Sequence, residues 1–512
     1  MKRLAMIAAA VGAAVITLSA AGQLPPYGGS DEFRADLAAR RSKAMDELGQ
    51  ASIFIAWSAP AKVYSTDVNY EYRQESNMLY LSGMTQEETI LVLIPGATTQ
   101  REVLFTREAD PRREHWNGHT LTSAEVTTAS GVRTVYPLSA FEPFINAVFA
   151  GTGYPAGSAN ASEFSALAQA MKDGKARLGI LERVGAPDTG GRGAAPAQPP
   201  PPPAPGSKAA WAVSMAAKYP GLTPFDASRI VTTLRQVKTR YEQKLLRRSV
   251  EISAEAHVEG MKAARPNRWE YEVEAAIEYW YLKNGAMSWG YPSIVGSGPN
   301  ATTLHYEAST RQMRDGDLLL VDAAANFQGL TGDITRTYPV NGKFTPAQRD
   351  IYELVLKAQD AAIAATKIGV PATTIATACR AVFAEGLLKL GLITETTPGP
   401  AQTAQISRWF THGPTHGIGI DVHDPLGTTL VAGSAFVMEP GLYIREAALN
   451  ELPDTPENKA FIEKVRPAVQ KYKNIGVRIE DSFLLTDAGL ERLSAKAPRQ
   501  VAEIEKIVGT GK

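Results

Sequence analysis

The chain has 512 residues, of which 44% are hydrophobic and 21% are charged, and its formal net charge at pH 7 is zero. This length exceeds what one hydrophobic core usually serves, so we expect two domains, and the composition is that of a soluble globular protein. A balanced charge gives no bulk attraction to nucleic acid or to an anionic membrane, so neither is predicted as a partner.

The N-terminal residues have the pattern of a bacterial-type signal peptide. Lys2 and Arg3 precede an apolar stretch at residues 4–18, and small residues follow at 19–21. Because the stretch is weakly apolar and short for a membrane span of about 20 residues, a cleaved signal over residues 1–22 is favoured over an anchor. We therefore predict export to the periplasm or the medium, without stable membrane insertion after cleavage.

The next region predicts an α/β domain over residues 31–230. A helical segment, FRADLAARRSKAMDELG, is followed by the strand-like segments ASIFIAW, TILVLIP and REVLFT. A proline- and glycine-rich insert interrupts this domain at residues 185–210, with five consecutive prolines at 199–203. We predict that the insert is exposed and disordered, because no apolar periodicity survives in it.

Residues 235–500 predict a second domain, of the α+β class. A long amphipathic helical run, broken near Arg240, ends before Pro266 and is followed by the helix EYEVEAAIEYWYLKNG. Strand-like segments with hairpin signals come next, separated by helices within residues 346–391. These segments are MSWGYPSIVG, DLLLVDAAANF, DITRTYPV, HGIGIDVHD, SAFVMEP and IGVRIEDSFLLT. We expect helices packed on an antiparallel-rich sheet.

Two residues on the predicted helices of this domain carry separate expectations. Cys379 is the only cysteine of the chain, so no internal disulfide is available, and its helical context predicts a buried, small apolar residue. His257 is predicted to lie at the surface or at an interface.

Three of the seven histidines cluster in HGPTHGIGIDVHD, residues 412–424. His412 and His416 have the i, i+4 spacing of a helical zinc motif. However, Gly413 and Pro414 lie between them, and glycine and proline oppose a stable helix. The glutamate of the helical motif is also absent. A turn that leads into a strand is therefore predicted, and a plain helical zinc site is excluded.

Four carboxylates stand at the ends of strand-like segments, where an ionised group is costly unless it is paired or bound to a cation. Asp322 ends an apolar run, and Asp333 follows eleven residues later, so a hairpin would place them side by side. Two adjacent carboxylates repel each other unless a divalent metal joins them. Glu439 ends another apolar run, while Arg478 and Glu480 share one strand face by alternation. Each acid alone is typical of an ordinary strand end, but the set indicates a metal site.

These segments resemble the aminopeptidase P and prolidase family of metallopeptidases. Five motifs stand in the family order: TLHYEAS, LLLVDAAANFQGLTGDITRTYPVNGKF, THGPTHGIGIDVHD, VMEPGLYI and GVRIEDSFLLT. The first domain is similar to the aminopeptidase P type through YEYRQESNMLYLSG and READPRREHWNG. The resemblance implies a C-terminal pita-bread catalytic domain preceded by an α/β creatinase-like N-terminal domain, an α+β protein as a whole.

The resemblance also implies a two-metal site. Its ligands would be Asp322, Asp333, His416, Glu439 and Glu480. Asp333 and Glu480 would bridge the two ions. Asp322 would bind one ion, and His416 and Glu439 would bind the other. Four carboxylates balance the charge of two divalent ions, and this oxygen-rich set favours Mn²⁺, with Co²⁺ or Zn²⁺ as alternatives.

Further residues would act on the substrate. By the same resemblance, His305, His412 and His423 would contact the substrate and the developing tetrahedral intermediate. Glu439 would also shuttle the proton, and Arg478 would support the bridging glutamate. The departure from the family pattern is an alanine after VDA, where the family often has glycine.

The function implied by the resemblance is an exported Xaa-Pro aminopeptidase, in which a metal-bridging hydroxide attacks the carbonyl before proline. Its partner would be a peptide with proline in second position, and the family implies a homodimer or homotetramer. An Xaa-Pro dipeptidase (prolidase) is the alternative, and the two differ in the room beyond the proline. A non-catalytic binding protein and a creatinase-like amidinohydrolase on this fold are disfavoured, because both would lack the metal ligands.

Overall fold

The computed structural model describes residues 30–156, 161–184 and 203–511. The chain divides into two compact units between Ser228 and Arg229. The predicted signal peptide and most of the proline-rich insert lie outside the described residues. Among the described residues, no helix combines the length and apolar character that a membrane span requires.

The N-terminal unit is an α/β domain built on one mixed sheet and a separate hairpin. Its strands are β1 (Ser52–Trp57), β2 (Val63–Ser65), β3 (Val68–Asn69), β4 (Thr89–Leu93), β5 (Glu102–Thr106), β6 (Thr134–Pro137), β7 (Ala176–Ile180) and β8 (Leu222–Asp226). Its helices are α1 (Asp31–Leu48), α2 (Ser76–Ser82), α3 (Pro111–Asn117), α4 (Ser123–Ser130), α5 (Phe141–Ala150), α6 (Ser165–Lys172) and α7 (Lys208–Lys218). Short 3-10 turns occupy Leu138–Ala140 and Ala161–Phe164.

The order of strands in the mixed sheet explains the sequence of its central strand. The order is β6-β5-β4-β1-β7-β8, with β1 antiparallel to β4 and parallel to β7. A strand covered on both faces reads as a continuous apolar run, and SIFIAW does so with its first five residues buried. The predicted strands ASIFIAW, TILVLIP and REVLFT are confirmed as β1, β4 and β5.

The C-terminal unit packs long helices on small antiparallel sheets. Its strands are β9 (Ser288–Trp289), β10 (Ile294–Ser297), β11 (Leu318–Asp322), β12 (Ala325–Phe327), β13 (Leu330–Thr331), β14 (Thr335–Pro339), β15 (Ala435–Met438), β16 (Gly441–Ile444), β17 (Ile475–Arg478), β18 (Asp481–Thr486) and β19 (Gly489–Arg492). Its helices are α8 (Ser228–Arg235), α9 (Arg240–Ala263), α10 (Glu270–Lys283), α11 (Pro346–Ala365), α12 (Thr373–Lys389), α13 (Pro400–Ile406), α14 (Ala447–Asn450), α15 (Pro456–Tyr472) and α16 (Val501–Ile507), with a 3-10 turn at Gly298–Thr302. The described sheets of this unit are β10-β11-β14, β13-β12-β9, β15-β18-β19 and β16-β17, all antiparallel, as the sequence predicts.

Local signals set the bounds of the helical run that opens this unit. Thr239 caps α9, because its side chain accepts from the backbone of Glu242 and Glu242 reaches back to Thr239. The helix ends at Ala263, before Pro266, so the predicted break and the predicted end are both confirmed. Cys379 is fully buried in the core between α11 and α12, as predicted, and burial raises the pKa of its thiol to about 12.

The expectation that His257 lies at the surface is wrong. His257 is fully buried on α9, with Nε2 3.0 Å from the carbonyl oxygen of Ala323. Ser253 and Ser249, one and two turns earlier on the same face, bond to the backbone of Ala325. Small polar residues at i, i+4 and i+8 read as a solvated face in the sequence, but here they satisfy strand backbone groups after Asp322.

The predicted strand HGIGIDVHD is also absent. Gly417 forms isolated bridges with Asp424 and Phe436, and no strand forms within this segment. The chain turns back on itself, since the amide of Asp424 donates to the carbonyl of Gly417 over 2.8 Å. A Cβ at position 417 would lie 2.4 Å from the carbonyl oxygen of Asp424, so this close approach requires glycine. The chain therefore bends between His416 and His423.

Candidate metal centre

The two aspartates of the predicted hairpin lie side by side. Asp322 ends β11 and is paired in register with Thr335 of β14, and Asp333 lies two residues before that threonine. The hydroxyl of Tyr291 donates to Oδ1 of Asp322 over 2.6 Å, and the same oxygen contacts Oδ1 of Asp333. Ser482 fixes the backbone of Asp333, because its hydroxyl accepts from the Asp333 amide at 3.0 Å and donates to the Asp333 carbonyl at 2.7 Å.

Glu480 enters the same site from the junction of β17 and β18. Its amide donates to the carbonyl of Thr335 over 3.0 Å, and the Thr335 hydroxyl donates to Oε2 over 2.7 Å. The other oxygen, Oε1, is buried and has no hydrogen-bond partner within the described part of the chain. A buried carboxylate oxygen without a donor calls for a cation or water as its partner.

His416 and Glu439 complete the cluster from the opposite side. The His416 Nε2 atom lies 3.5 Å from Oδ2 of Asp333, 3.5 Å from Oε1 of Glu439 and 4.0 Å from Oε1 of Glu480. His416 Nδ1 lies 2.9 Å from the carbonyl of Gly417, which orients the ring and leaves Nε2 facing the carboxylates. Backbone bonds between residues 414–418 and β15 hold His416 and Glu439 in this relation.

Arg478 makes its direct contact with a different acid from the one expected. Its Nη2 donates to Oδ2 of Asp322 over 2.6 Å. Its Nε donates to the Thr335 hydroxyl over 2.9 Å, so the expected support of Glu480 runs through Thr335. Alternation along β17 predicted a shared face for Arg478 and Glu480, and both do reach Thr335, but sequence spacing alone does not say which carboxylate receives the guanidinium.

Two tyrosines of the site were missed by the sequence analysis. Tyr291 joins the two aspartates, and Tyr443 accepts a hydrogen bond from Nη1 of Arg478 over 2.8 Å. The Tyr443 hydroxyl also lies 2.8 Å from Nε2 of His412. The available signals were weak: Tyr443 follows Glu439 closely in VMEPGLYI, whereas Tyr291 stands in a loop far from any acid.

The three histidines expected to face the substrate have different surroundings. His412 is largely enclosed, with Nδ1 3.5 Å from Oε2 of Glu439. The ring of His423 lies 4.2 Å from that of His416 and is exposed on its outer side. His305 is also exposed, and its charge, after burial, contributes to lowering the pKa of His423. The structure therefore places His412 beside Glu439, His423 beside His416 and His305 near His423.

The pKa values of the cluster are shifted because several buried carboxylates lie close together with little positive charge between them. Burial and repulsion from Asp322 raise the pKa of Asp333 well above its ordinary value, and burial and the charge of Asp333 do the same for Glu480. Burial raises the pKa of Glu439 to about 8. Asp322 differs: burial alone would raise its pKa, but the charge of Arg478 together with hydrogen bonds from Tyr291, Asp333 and Arg478 outweighs burial and lowers it. Burial lowers the pKa of His416 to about 4, which favours the neutral, ligating form of the imidazole.

This arrangement fits divalent metal ions. Asp333, His416 and Glu480 each offer an atom within 4.8 Å of the others, so one ion can reach all three. Four carboxylates against a single hydrogen-bonded guanidinium leave an excess of negative charge, which favours the binding of divalent cations. The unpartnered Oε1 of Glu480 points to the same conclusion.

Comparisons with known families agree with this reading of the site. A model of metallopeptidase family M24 matches residues 244–487, and a model of the aminopeptidase P N-terminal domain matches residues 37–154. The fold and the site together define a metallopeptidase, and therefore a hydrolase.

Full-length relatives narrow the assignment. The Xaa-Pro aminopeptidase of Escherichia coli K12 is 31% identical over 489 residues, which cover 94% of this chain and 98% of that relative. The Xaa-Pro aminopeptidase of Haemophilus influenzae is 30% identical over 479 residues, which cover 92% and 96%. The chain belongs to the aminopeptidase P group of metallopeptidase family M24.

Solved structures show the same two-domain fold. The aminopeptidase PepP of Pseudomonas aeruginosa superposes with a TM-score of 0.73 at 30% identity, covering 93% of this chain and 97% of that one. Aminopeptidase P of Escherichia coli with the inhibitor Pro-Leu gives a TM-score of 0.73 at 29% identity, covering 93% and 98%. A zinc-substituted form of that enzyme in complex with product matches with a TM-score of 0.72 at the same identity and coverage. The expected fold is confirmed.

Proposed function

We propose that the protein releases the N-terminal residue from peptides that have proline in second position. The observation that carries the proposal is the intact donor cluster of Asp333, His416 and Glu480, in a chain matched over nearly its full length by Xaa-Pro aminopeptidases. Asp322 and Glu439 lie around the same cluster, so five residues would hold two ions. When bound, such ions polarise the scissile carbonyl and activate water.

The residues around the cluster supply proton transfer and orientation. Glu439 Oε2 lies 3.5 Å from Nδ1 of His412, so this imidazole stands beside the carboxylate assigned to shuttle the proton. Tyr443 and Arg478 fix the far side of the His412 ring through the 2.8 Å contacts at the tyrosine hydroxyl. His423, beside His416, presents an imidazole to the substrate side and is assigned a hydrogen bond to the developing oxyanion.

The activity is tested with the purified protein on Ala-Pro, Ala-Pro-Ala and Ala-Ala-Ala, before and after treatment with a chelator. We expect metal-dependent release of alanine from Ala-Pro-Ala and none from Ala-Ala-Ala. Cleavage of Ala-Pro alone would assign the chain to Xaa-Pro dipeptidases instead. Equal cleavage of all three peptides would contradict a requirement for proline.

We propose Mn²⁺ as the metal, because four of the five donors are carboxylates and oxygen donors suit Mn²⁺. Elemental analysis of the protein purified without added metal, followed by reconstitution of chelated protein with Mn²⁺, Co²⁺ or Zn²⁺, provides the test. Higher activity with Zn²⁺ than with Mn²⁺ at full occupancy would contradict this choice.

We propose that the protein is exported and assembles as a homodimer or homotetramer. The basic start and apolar stretch of residues 1–22 support export, and N-terminal sequencing should place the mature start between residues 21 and 24. The exposed rings of Tyr64 and Tyr70 lie 5.0 Å apart at the β2–β3 hairpin, and they support an assembly because a contiguous exposed apolar patch marks a contact surface. Sedimentation equilibrium of the mature protein should give two or four chains.

A further inference from the structure

The loop that carries His423 ends on a buried group of charges. Asp424 is 5% exposed and follows His423 directly. Lys238 donates from Nζ to Oδ2 of Asp424 over 2.6 Å, and Arg235 donates from Nη2 to Oδ1 of the same carboxylate. Arg235 also reaches Oδ2 of Asp421 over 2.6 Å. Two cations therefore face two carboxylates, and both cations are 3% exposed.

His416 and His423 are held in place by different contacts. The carbonyl of His416 accepts from the amide of Val437, and the amide of Ile418 donates to the carbonyl of Ala435, so β15 fixes His416. In the described part of the chain no strand bonds to the backbone of His423 itself, although Thr331 of β13 donates to the carbonyl of Gly419 over 2.8 Å earlier in the same segment. Residues 417–424 form the His423 loop. A hydrogen bond from the amide of Asp424 to the carbonyl of Gly417 closes this loop.

The His423 loop is packed directly against the charges. A Cβ at Gly419 would lie 2.7 Å from Oδ2 of Asp424 and 2.9 Å from Cε of Lys238, so a side chain here would displace the ion pair. The loop sequence GIGIDVHD has glycine at two positions, which raises the entropic cost of holding one conformation. The ion pairs of Asp424 with Arg235 and Lys238 fix the C-terminal end of the loop. They offset this entropic cost next to His423, whose imidazole has to keep one position.

We propose that Arg235 and Lys238 are positioning residues that fix Asp424 and, through it, hold His423 against the metal cluster. The proposal rests on the role given to His423 in the proposed function. Arg235 and Lys238 fix the position of His423, whereas backbone bonds to β15 fix the position of the metal ligand His416. A displacement of about 1 Å at such a group lowers the rate by up to about 100-fold.

The test variant is Asp424→Asn, which keeps the shape of the side chain, removes the carboxylate that Lys238 contacts and leaves Arg235 paired with Asp421 alone. Glu102→Gln is the matched control, because Glu102 accepts from the fully buried Arg41 over 2.9 Å in the N-terminal unit. Lys238→Met serves as a milder second variant that keeps the pair of Arg235 and Asp424, in case Asp424→Asn does not fold.

We expect Asp424→Asn to keep wild-type metal content and KM, with kcat lower by about 10-fold to 100-fold. Lys238→Met should show a smaller loss of kcat, and Glu102→Gln none. In the double variant Asp424→Asn with His423→Ala, kcat should equal that of His423→Ala alone, because a residue that acts through His423 has no further effect once the imidazole is gone. A double variant whose losses multiply would overturn the proposal, as would wild-type kcat in Asp424→Asn.

A second readout does not depend on catalysis. Hydrogen–deuterium exchange of the metal-loaded protein should be faster in the His423 loop of Asp424→Asn, or of Lys238→Met, than in wild type, and unchanged in residues 435–438. Equal exchange in the loop of wild type and both variants would overturn the proposal whatever the substrate proves to be. Absence of Xaa-Pro hydrolysis by the wild-type protein would refute the proposed function. The exchange measurement would still test whether Asp424 and Lys238 restrict the motion of the His423 loop.

Discussion

Arg478 donates a hydrogen bond to Asp322 over 2.6 Å, and both residues are buried. Removing one partner of a buried charge pair leaves the other uncompensated, at a cost of about 3–5 kcal/mol. We predict that Arg478→Met lowers the free energy of unfolding of the chelated protein by about 3 kcal/mol or more. Metal should restore part of the loss, because an ion provides Asp322 with a new partner. Urea unfolding with and without metal measures both effects, and an unchanged midpoint in the chelated state would contradict the pairing.

Asp333→Asn should abolish activity and sharply weaken metal binding. The change removes one charge from a carboxylate that lies 3.5 Å from His416 and shares Tyr291 with Asp322. Asp454→Asn is the control, because the Asp454 side chain is 80% exposed. Isothermal titration with Mn²⁺ gives the affinity and stoichiometry of each variant. Two ions bound with native affinity by Asp333→Asn would show that the residue does not bridge them.

Replacing His416 and replacing His423 should have different effects on metal content. His416→Ala should lose metal as well as rate, whereas His423→Ala should keep both ions and lose about 10²–10³ in kcat, the usual effect of one oxyanion donor. Elemental analysis set beside kcat compares the two. Loss of a metal from His423→Ala, with both retained in His416→Ala, would exchange the two roles.

The proline-rich insert should be dispensable. Glu182 accepts a hydrogen bond from the amide of Lys208 over 2.8 Å, so the chain before the insert already touches the start of α7. Deleting residues 185–206 joins Val184 to Ser207 and keeps the Ser207 cap of α7. We expect kcat/KM within a few-fold of wild type and an unchanged thermal midpoint. Insoluble or unfolded protein after the deletion would show that the segment is structural.

His257 should make stability depend on pH. Burial, aided by the charge of Arg336, lowers its pKa from 6.5 to about 4, so the unfolded chain binds a proton between these values that the folded chain does not. The contribution of neutral His257 is complete above pH 6.5 and falls by about 1.4 kcal/mol per pH unit as the pH drops towards 4. The stability difference between wild type and His257→Gln, from urea unfolding of chelated protein, should shrink over this interval. A constant difference would contradict the shift.

The sequence predicted the acids of the site better than the groups that orient them. Asp322 and Asp333 are joined by a short hairpin, and apolar runs before Asp322 and Glu439 make buried charges conspicuous. No local pattern identifies Tyr291 or Thr335 as a site residue. Tyr291 contacts Asp322, 31 residues away in the chain, and Thr335 contacts Glu480, 145 residues away. Contacts of this range depend on how sheets stack, which local patterns do not specify.

Two errors of the sequence analysis have a common cause. The face of α9 that carries His257 is polar, and the segment after His416 alternates like a strand, so local composition alone predicts an exposed face and a strand. The helix uses its polar groups to satisfy strand backbone, and the glycines of the His423 loop allow a tight approach to Asp424 in place of a strand. In both places a neighbouring element decided between two locally acceptable structures.

The single cysteine has a practical consequence for spectroscopy. Its thiol is enclosed between α11 and α12, and a pKa of about 12 leaves almost no thiolate at neutral pH. Reagents that react with the thiolate will therefore not modify Cys379 in the folded protein. A cysteine introduced on the surface would then be the one fast-reacting thiol. Dye or spin labels can be attached at chosen positions of the natural sequence background, and movements of the His423 loop can be followed without first removing Cys379.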